Sequence, residues 1–366
     1  MIEKALFLAV ENRYAPPPNP AVGCVITDSS GNVIGQGFTQ RAGGDHAEIM
    51  ALKDVLTRGK SAFGATAYVT LEPCSHHGRT SPCCDALISA GVAKVVASIR
   101  DPNPLVSGRG FAQLEAAGIE VLIGPEAEAS RELNIGFFSR MIRHTPWVRL
   151  KTAASLDGKI ALQNGYSQWI TSEAARADGQ KWRARACAIL TGVGTVRSDN
   201  PRLDVRLGNT TRQPRLVVVD SRMETPLDAN IFITERQILI YTALQDTDKK
   251  NALEARGATV IYAPSMPPGA HVKVDLLEMM KDLARREVNE VHVEAGPRLN
   301  ASLIGGKLVD EFLIFLAPKL IGTGQGISDN EPIEDLKDAL QLQFNSVALV
   351  GPDLRVLARP PGRDNF

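Results

Sequence analysis

Short apolar runs rich in β-branched residues recur along this chain, and most are separated by stretches with the period of an amphipathic helix. VGCVIT (22–27), NVIGQGF (32–38), ATAYVTL (65–71), KVVASI (94–99) and EVLIG (120–124) form a first set. WVRLKTAAS (147–155), CAILTG (187–192), RLVVVD (215–220), QILIYT (237–242), ATVIYA (258–263) and EVHVEAG (290–296) form a second. Such runs read as strands, and their alternation with helices means a layered α/β fold. DSSGN between the first two runs predicts a hairpin. DEFLIFLAPKLIG (310–322) and FNSVALVGPDLRVLA (344–358) follow one another without a helix and are expected to pair antiparallel. Helices are expected at the N-terminus, over His46–Leu56, from Cys83, up to about Arg140, and over 171–184 and 274–286. Segment 203–214 and PSMPPGAH (264–271) read as loops.

The chain has 366 residues; at roughly 100–200 residues per domain, two domains are expected. Pro146 forces extended backbone before the second set of strands, which puts the boundary there and gives domains 1–145 and 146–366. Lys+Arg and Asp+Glu stand at 41 each, a balance that argues against a dedicated nucleic-acid binder. There is no apolar run of about 18 residues to span a membrane. The opening MIEKALFLAVENRY lacks a basic n-region and cleavage site, so the protein is expected in the cytoplasm.

Five cysteines, an odd number, argue against a disulfide framework. Cys24 and Cys187 lie in apolar runs and read as small buried hydrophobes. The other three crowd into PCSHHGRTSPCC, which is too polar for a core. His46 and Glu48 stand in HAE, which opens a helix. One His and two Cys with a nearby carboxylate suit zinc, and if His46, Cys74 and Cys83 bind, the fourth position is left for a water whose pKa falls to about 7. Glu48 can then take that water's proton and hand it to a leaving amine. A purely structural zinc would recruit a fourth ligand from Cys84, His76 or His77, and Glu48 would be without a role. Cys84 reads as core-facing and His76 as a substrate contact.

The HAE motif, TLEPCSHHGRTSPCC and VVASIRDPNP together resemble the cytidine-deaminase-like superfamily, and within it the deaminase of riboflavin biosynthesis. The spacing of eight residues between the cysteines is longer than the superfamily's P-C-x-x-C, and Ser81 stands where the family usually has Pro. The resemblance implies a three-layer zinc-dependent deaminase domain, one Zn2+ per chain, and Asn19 holding the pyrimidine ring.

In the second domain, VEAGPRLNASLIGG places Gly296 between a strand and a helix, where N-terminal amides can hold a phosphate. TGVGTVRSDNPRLDVR also puts glycines after a strand. Neither is G-x-G-x-x-G, so a Rossmann fold is not expected. KTAASLDGKIA, SQWITSEAAR, the TGVGTVRSDNPRLDVR segment, VVVDS and VEAGPRLNASL are similar to the reductase domain of the same bifunctional family. The likeness covers about residues 1–358. It implies a dihydrofolate-reductase-like α/β domain that uses NADPH, with cofactor contacts at Ala153, Trp169, Thr195, Asp199, Ser221 and the run Gly296, Pro297, Arg298, Leu299, Asn300, Ala301, Ser302. Substrate contacts are implied at Ser167, Arg183, Leu203, Arg206 and Glu294, with Lys151 a further polar contact. Arginines suit the substrate's phosphate, which a guanidinium binds through two parallel hydrogen bonds.

The implied chemistry is zinc-dependent deamination of 2,5-diamino-6-(5-phosphoribosylamino)pyrimidin-4-one, then NADPH-dependent reduction of its ribosyl side chain to ribityl. Small phosphoribosylaminopyrimidines are the expected partners, with no nucleic acid or membrane, in a homo-oligomer. Ser221 with Arg222 is expected to favour NADPH over NADH, whereas Asp220 could serve a ribose hydroxyl instead. Two other readings are a nucleic-acid or nucleoside zinc deaminase with an appended dinucleotide-binding domain, and a non-catalytic zinc protein.

Overall fold

The computed structural model describes residues 1–14, 17–75, 82–208, 210, 212–265 and 272–366. The chain divides into two compact units, 1–144 with Phe366, and 145–365.

The first unit runs α1 (Ile2–Glu11), β1 (Gly23–Thr27), β2 (Val33–Phe38), α2 (Ala47–Thr57), β3 (Thr66–Val69), α3 (Cys83–Ser89), β4 (Lys94–Ala97), α4 (Arg109–Ala116), β5 (Glu120–Ile123), α5 (Ala127–Leu133) and α6 (Ile135–Arg143). Its sheet has the order β2-β1-β3-β4-β5. β1 is antiparallel to β2 and β3, and the remaining pairs are parallel. Two glycines show the layering. A Cβ on Gly37 would fall 2.4 Å from the Ala47 carbonyl of α2, and one on Gly23 would fall 1.8 Å from the Ala5 carbonyl of α1. Gly37 pairs with Cys24, the neighbour of Gly23, and successive residues of a strand face opposite ways. Helices therefore cover both faces, which makes three layers, and each packs so closely that only hydrogen fits. Val25, Ile26, Val69, Val95 and Leu87 are fully buried with Cys24 and Cys84. The Phe366 ring lies 6.1 Å from that of Phe138, tilted by 50°, and Phe366 belongs to this unit.

The second unit runs β6 (Trp147–Ser155), β7 (Lys159–Leu162), α7 (Glu173–Arg185), β8 (Ala188–Gly192), α8 (Val193–Asp199), β9 (Arg215–Val219), β10 (Ile238–Thr242), α9 (Thr247–Ala255), β11 (Ala258–Tyr262), α10 (Leu276–Arg285), β12 (Glu290–Val293), α11 (Pro297–Gly305), β13 (Glu311–Ala317), β14 (Gly324–Gly326), β15 (Gln343–Val350) and β16 (Asp353–Arg359). Nine strands form one sheet in the order β11-β10-β9-β8-β12-β6-β13-β16-β15. The last three pair antiparallel, as expected, but β13 lies parallel to β6 on its other side.

Two helices depart from the sequence reading. α9 shows no apolar stripe because Leu253 is its one buried residue; it starts where the Asp246 side chain accepts from the Lys249 N–H. α8 follows β8 directly, in the glycine-bearing TGVGTVRSDN stretch where no helix is expected, and only its Val196 is buried. PSMPPGAH lies mostly outside the described residues.

One face of this sheet is apolar, with Val148, Leu150, Leu190, Val291 and Val293 packed on Met279, Leu283 and Leu303. On the opposite face, Ile189, Leu216 and Ile240 are apolar, but the neighbouring strands turn Arg149, Glu290, His292 and Glu311 inward, all buried. Arg149 Nη1 donates to Glu290 at 2.8 Å and its Nε to Glu311, while Arg359 Nη2 donates to Glu311 at 2.7 Å. The Trp182 ring lies against the Arg149 guanidinium at 4.6 Å. Among the described residues no helix is long and apolar enough to cross a membrane.

Candidate functional site

His46 is the N-cap of α2, Glu48 stands in that helix's first turn, and Cys83 is the first residue of α3. Cys74 comes from the segment after β3. The fold brings these ends together: one ligand atom from each of His46, Cys74 and Cys83 lies within 4.8 Å of the others. His46 Nδ1 is 3.5 Å from Cys74 Sγ and 3.4 Å from Cys83 Sγ. Bonds of about 2.0 and 2.3 Å at a tetrahedral angle put a nitrogen and a sulfur about 3.5 Å apart, so these gaps fit zinc. The Cys83 N–H donates to Cys74 Sγ at 3.3 Å. Hydrogen bonds from the Cys83 thiol and His46 bring Cys74 down to about 4, against burial; Cys74 and burial hold the Cys83 thiol up. Glu48 is 4% exposed. Burial first, and then the charge of Cys74, push it up to about 7.

The segment bearing Cys74 is fixed from behind by groups the sequence reading did not single out. The Glu72 carboxylate accepts from the N–H groups of Asp101 (3.1 Å), Gly108 (2.9 Å), Gly110 (3.0 Å) and Phe111 (3.4 Å). The Cys84 thiol, buried as expected, donates to the Pro73 carbonyl at 3.3 Å. A Cβ on Gly110 would meet that same carbonyl at 2.1 Å. Asp101 is also buried, and burial raises it to about 7. Asn19 is half-buried and makes no hydrogen bond to a described residue. His76 lies outside the described residues.

In the second unit an open cleft of about 2960 Å³ is lined by side chains drawn from residues 151–340. Lys151, Ser167, Arg183, Leu203, Arg206 and Glu294 all line it, as do Ala153, Trp169, Thr195, Asp199 and Ser221. The run from Gly296 to Ser302 lines it too, with Asn300 as the exception. That side chain is buried beneath α11 and its Nδ2 donates to the Ile327 carbonyl at 2.8 Å, so it holds a neighbouring loop instead. A Cβ on Gly194 would meet nothing within 4 Å, and one on Gly296 only Thr195 Oγ1 at 3.9 Å; both glycines face open space.

Arg183 departs from the phosphate reading. Its Nε and Nη2 (2.8 Å) grip the two oxygens of Glu294, and Nη1 donates to the Asp204 carbonyl at 3.1 Å. Its two-pronged edge is thus spent within the protein. Burial works against the Glu294 charge, but Arg183 and Lys151 hold it well below the usual carboxylate range. Lys151 Nζ is 3.9 Å from Glu294; burial lowers its pKa, Arg183 adds to this and Glu294 opposes it.

The more exposed cations share single carboxylates. Asp204 takes Arg202 at 2.7 Å and Arg206 at 2.8 Å, and Glu224 takes Arg197 at 2.8 Å and Arg222 at 2.9 Å. Each triad carries one net positive charge at the cleft. RLDVR, with its alternating signs, carries a signal for the first of them that the motif reading passed over. Asp220 is buried and accepts from the N–H groups of Glu224 (2.9 Å) and Thr225 (2.8 Å), so its carboxylate closes its own turn.

Two family models match this chain: the cytidine and deoxycytidylate deaminase zinc-binding region over residues 1–99, and the RibD C-terminal domain over residues 146–356. The riboflavin biosynthesis protein RibD of Escherichia coli is 42% identical over 356 residues, which is 96% of both chains. The chain belongs to the RibD family. RibD of Haemophilus influenzae is 39% identical over 99% of this chain and 97% of its own. The solved structure of Acinetobacter baumannii RibD superposes with a TM-score of 0.88 at 36% identity, covering 98% of this chain and 97% of that one. A diaminohydroxyphosphoribosylaminopyrimidine deaminase/5-amino-6-(5-phosphoribosylamino)uracil reductase from Thermotoga maritima gives 0.86 at 31% identity, covering 98% and 97%. The family has a cytidine-deaminase-like domain followed by a dihydrofolate-reductase-like one, and its members are deaminase–reductases of riboflavin biosynthesis. Membership accounts for both halves of the chain, which the nucleic-acid deaminase reading does not.

Proposed function

We propose that residues 1–145 hydrolytically deaminate 2,5-diamino-6-(5-phosphoribosylamino)pyrimidin-4-one and that residues 146–366 reduce the ribosyl side chain of the product to ribityl. The observation that carries this reading is the convergence of His46, Cys74 and Cys83 beside a buried Glu48. These three residues hold one zinc ion, which supplies the Lewis acidity that makes water nucleophilic near neutral pH. Glu48, poised at about 7, takes the proton of the attacking water and passes it to the amine, which leaves as ammonia. Asn19 and His76 orient the pyrimidine.

In the second unit Ala153, Trp169, Thr195, Asp199, Ser221 and the start of α11 hold NADPH, which supplies the hydride. The open space at Gly194 and Gly296 supports a close ligand there, and the Arg197–Glu224–Arg222 triad favours the cofactor's extra phosphate. Ser167, Leu203 and Arg206 hold the phosphoribosyl group. Arg183 acts by fixing Glu294, which in turn orients a substrate hydroxyl. Lys151, its proton loosened by burial, serves the ribosylamine nitrogen as the open-chain imine is reduced. Phe344, Val347 and Leu349, exposed on edge strand β15, support a homo-oligomer.

The test is product analysis with the phosphoribosylaminopyrimidine. Zinc-replete enzyme alone should release ammonia and stop at the deaminated ribosyl compound, and NADPH should carry it on to the ribityl product. Absence of ammonia release from a folded, zinc-loaded sample would end this reading.

A further inference from the structure

Leu203 lines the cleft with a backbone φ of 51°. That is the left-handed region, which a branched, non-glycine residue avoids because its Cβ crowds the following carbonyl. Something must hold it there, and the holder lies outside the lining. Arg236, between β9 and β10, donates from Nη1 to the Leu203 carbonyl and from Nη2 to the Arg202 carbonyl. The rest of the segment is pinned in the same manner. The Asp204 carbonyl accepts from Arg183 at 3.1 Å, and Thr234 Oγ1 donates to the Asp204 carboxylate at 3.1 Å. Gln213 bonds both the N–H and the carbonyl of Val205 at 2.9 Å, and Gln180 accepts from the Arg206 N–H at 2.9 Å. All these partners leave the N–H groups of Arg202 and Leu203 without an acceptor among the described residues. Donors on successive residues around a left-handed position make an anion-binding concavity, and here Arg202 and Arg206 flank it on their shared Asp204.

We propose that Arg236 is a positioning residue: by holding the carbonyls of 202 and 203 it keeps Leu203 left-handed and so maintains a backbone seat for the phosphate monoester of the ribosyl substrate. This rests on the reductase reading above. Phosphate monoesters reach the cleft from two sources, the substrate's 5-phosphate and the 2′-phosphate of NADPH, and this seat takes the first.

Arg236→Met and Arg236→Lys would be assayed for reduction of the deaminated substrate and of its dephosphorylated counterpart. In the wild type the phosphorylated compound should have the higher kcat/KM. Loss of two charge-assisted hydrogen bonds should cut that preference about tenfold or more in the Met variant, through KM, while the dephosphorylated compound is reduced as before. The Lys variant, which keeps the charge but not the two-pronged donor edge, should fall between, and it decides the matter if the Met variant does not fold. The KM for NADPH should stay within about twofold of wild type, as should deamination. An unchanged preference, or equal loss on both substrates, would mean that Arg236 is only structural. A raised KM for NADPH alone would move the seat to the cofactor and overturn the assignment. A wild type inert toward both substrates would instead bring down the reductase reading itself.

Discussion

Both units bury carboxylates, and they do so in opposite ways. In the first, Glu48 and Asp101 are buried with no arginine or lysine paired to them among the described residues and are pushed up to about 7, Glu48 against the opposing charge of His46. In the second, burial would raise Glu290, Glu294 and Glu311 as well, but arginines hold all three low, Glu311 at about 2. A group that must carry a proton at neutral pH needs near-equal populations of its two forms. A group that must hold a cation in place needs to stay ionised. The difference also bears on stability, because a buried ion pair recovers little more than its desolvation cost, whereas removing one partner leaves a charge stranded.

The largest effect tests the first half of this contrast. Glu48→Gln should lower deamination by about 10²- to 10⁴-fold while zinc content, by metal analysis, stays at the wild-type level. Reduction of the already deaminated substrate, followed by nicotinamide absorbance, should continue at its normal rate. Its loss in a folded, zinc-replete sample would show that the two sites are not independent. Cys74→Ala should also abolish deamination, but with loss of metal.

Next is the second half. Arg149→Met leaves Glu290 to Arg185 alone and Glu311 to Arg359 alone, and should cost up to about 3–5 kcal/mol in denaturant unfolding of the second unit. Ammonia release should persist at urea concentrations where reduction is already lost. An unaltered midpoint would show the ionic layer to be dispensable.

The pH dependences of the two units should have opposite signs. Glu311 has a folded pKa, about 2, below its unfolded one, so its contribution is complete above about pH 4.3 and is lost as pH falls toward 2. Asp101 has a folded pKa of about 7, above its unfolded one, so its contribution is complete below about pH 3.9 and is lost as pH rises through 7. The first is worth about 3 kcal/mol and the second about 4 kcal/mol. Thermal unfolding across pH should show the acid limb flattened by Glu311→Gln and the neutral-pH slope flattened by Asp101→Asn. If either variant keeps the wild-type slope, that carboxylate is not the group responsible.

The smallest effect concerns the cofactor. Arg222 is exposed and already paired with Glu224, so Arg222→Ala should raise the KM for NADPH by only about fivefold, in keeping with an exposed charge pair. The KM for NADH should be unaffected; an equal rise for both would remove Arg222 from any role at the 2′-phosphate.

What could be read in advance follows one physical distinction. HAE, PCSHHGRTSPCC and the strand runs were legible because local rules govern them: helix starts, strand period and the donor chemistry of His and Cys are properties of a few adjacent residues. α9 was missed because it buries only Leu253, leaving no period to detect. The cleft residues were named through family likeness, and Asn300 shows its limit, since a helical run points some side chains away from the ligand.

The sequence by itself determined the α/β layering, the break near Pro146 and the residue types that suit zinc. Only the tertiary structure decided which charge meets which. Arg183 is bound to Glu294, 111 residues away, and Arg149 to Glu311, 162 residues away. The same tertiary level decided that Arg236 holds Leu203 left-handed. Burial is what makes the loss of either partner costly, and burial is set by how strands and helices pack, which no local stretch of chain contains.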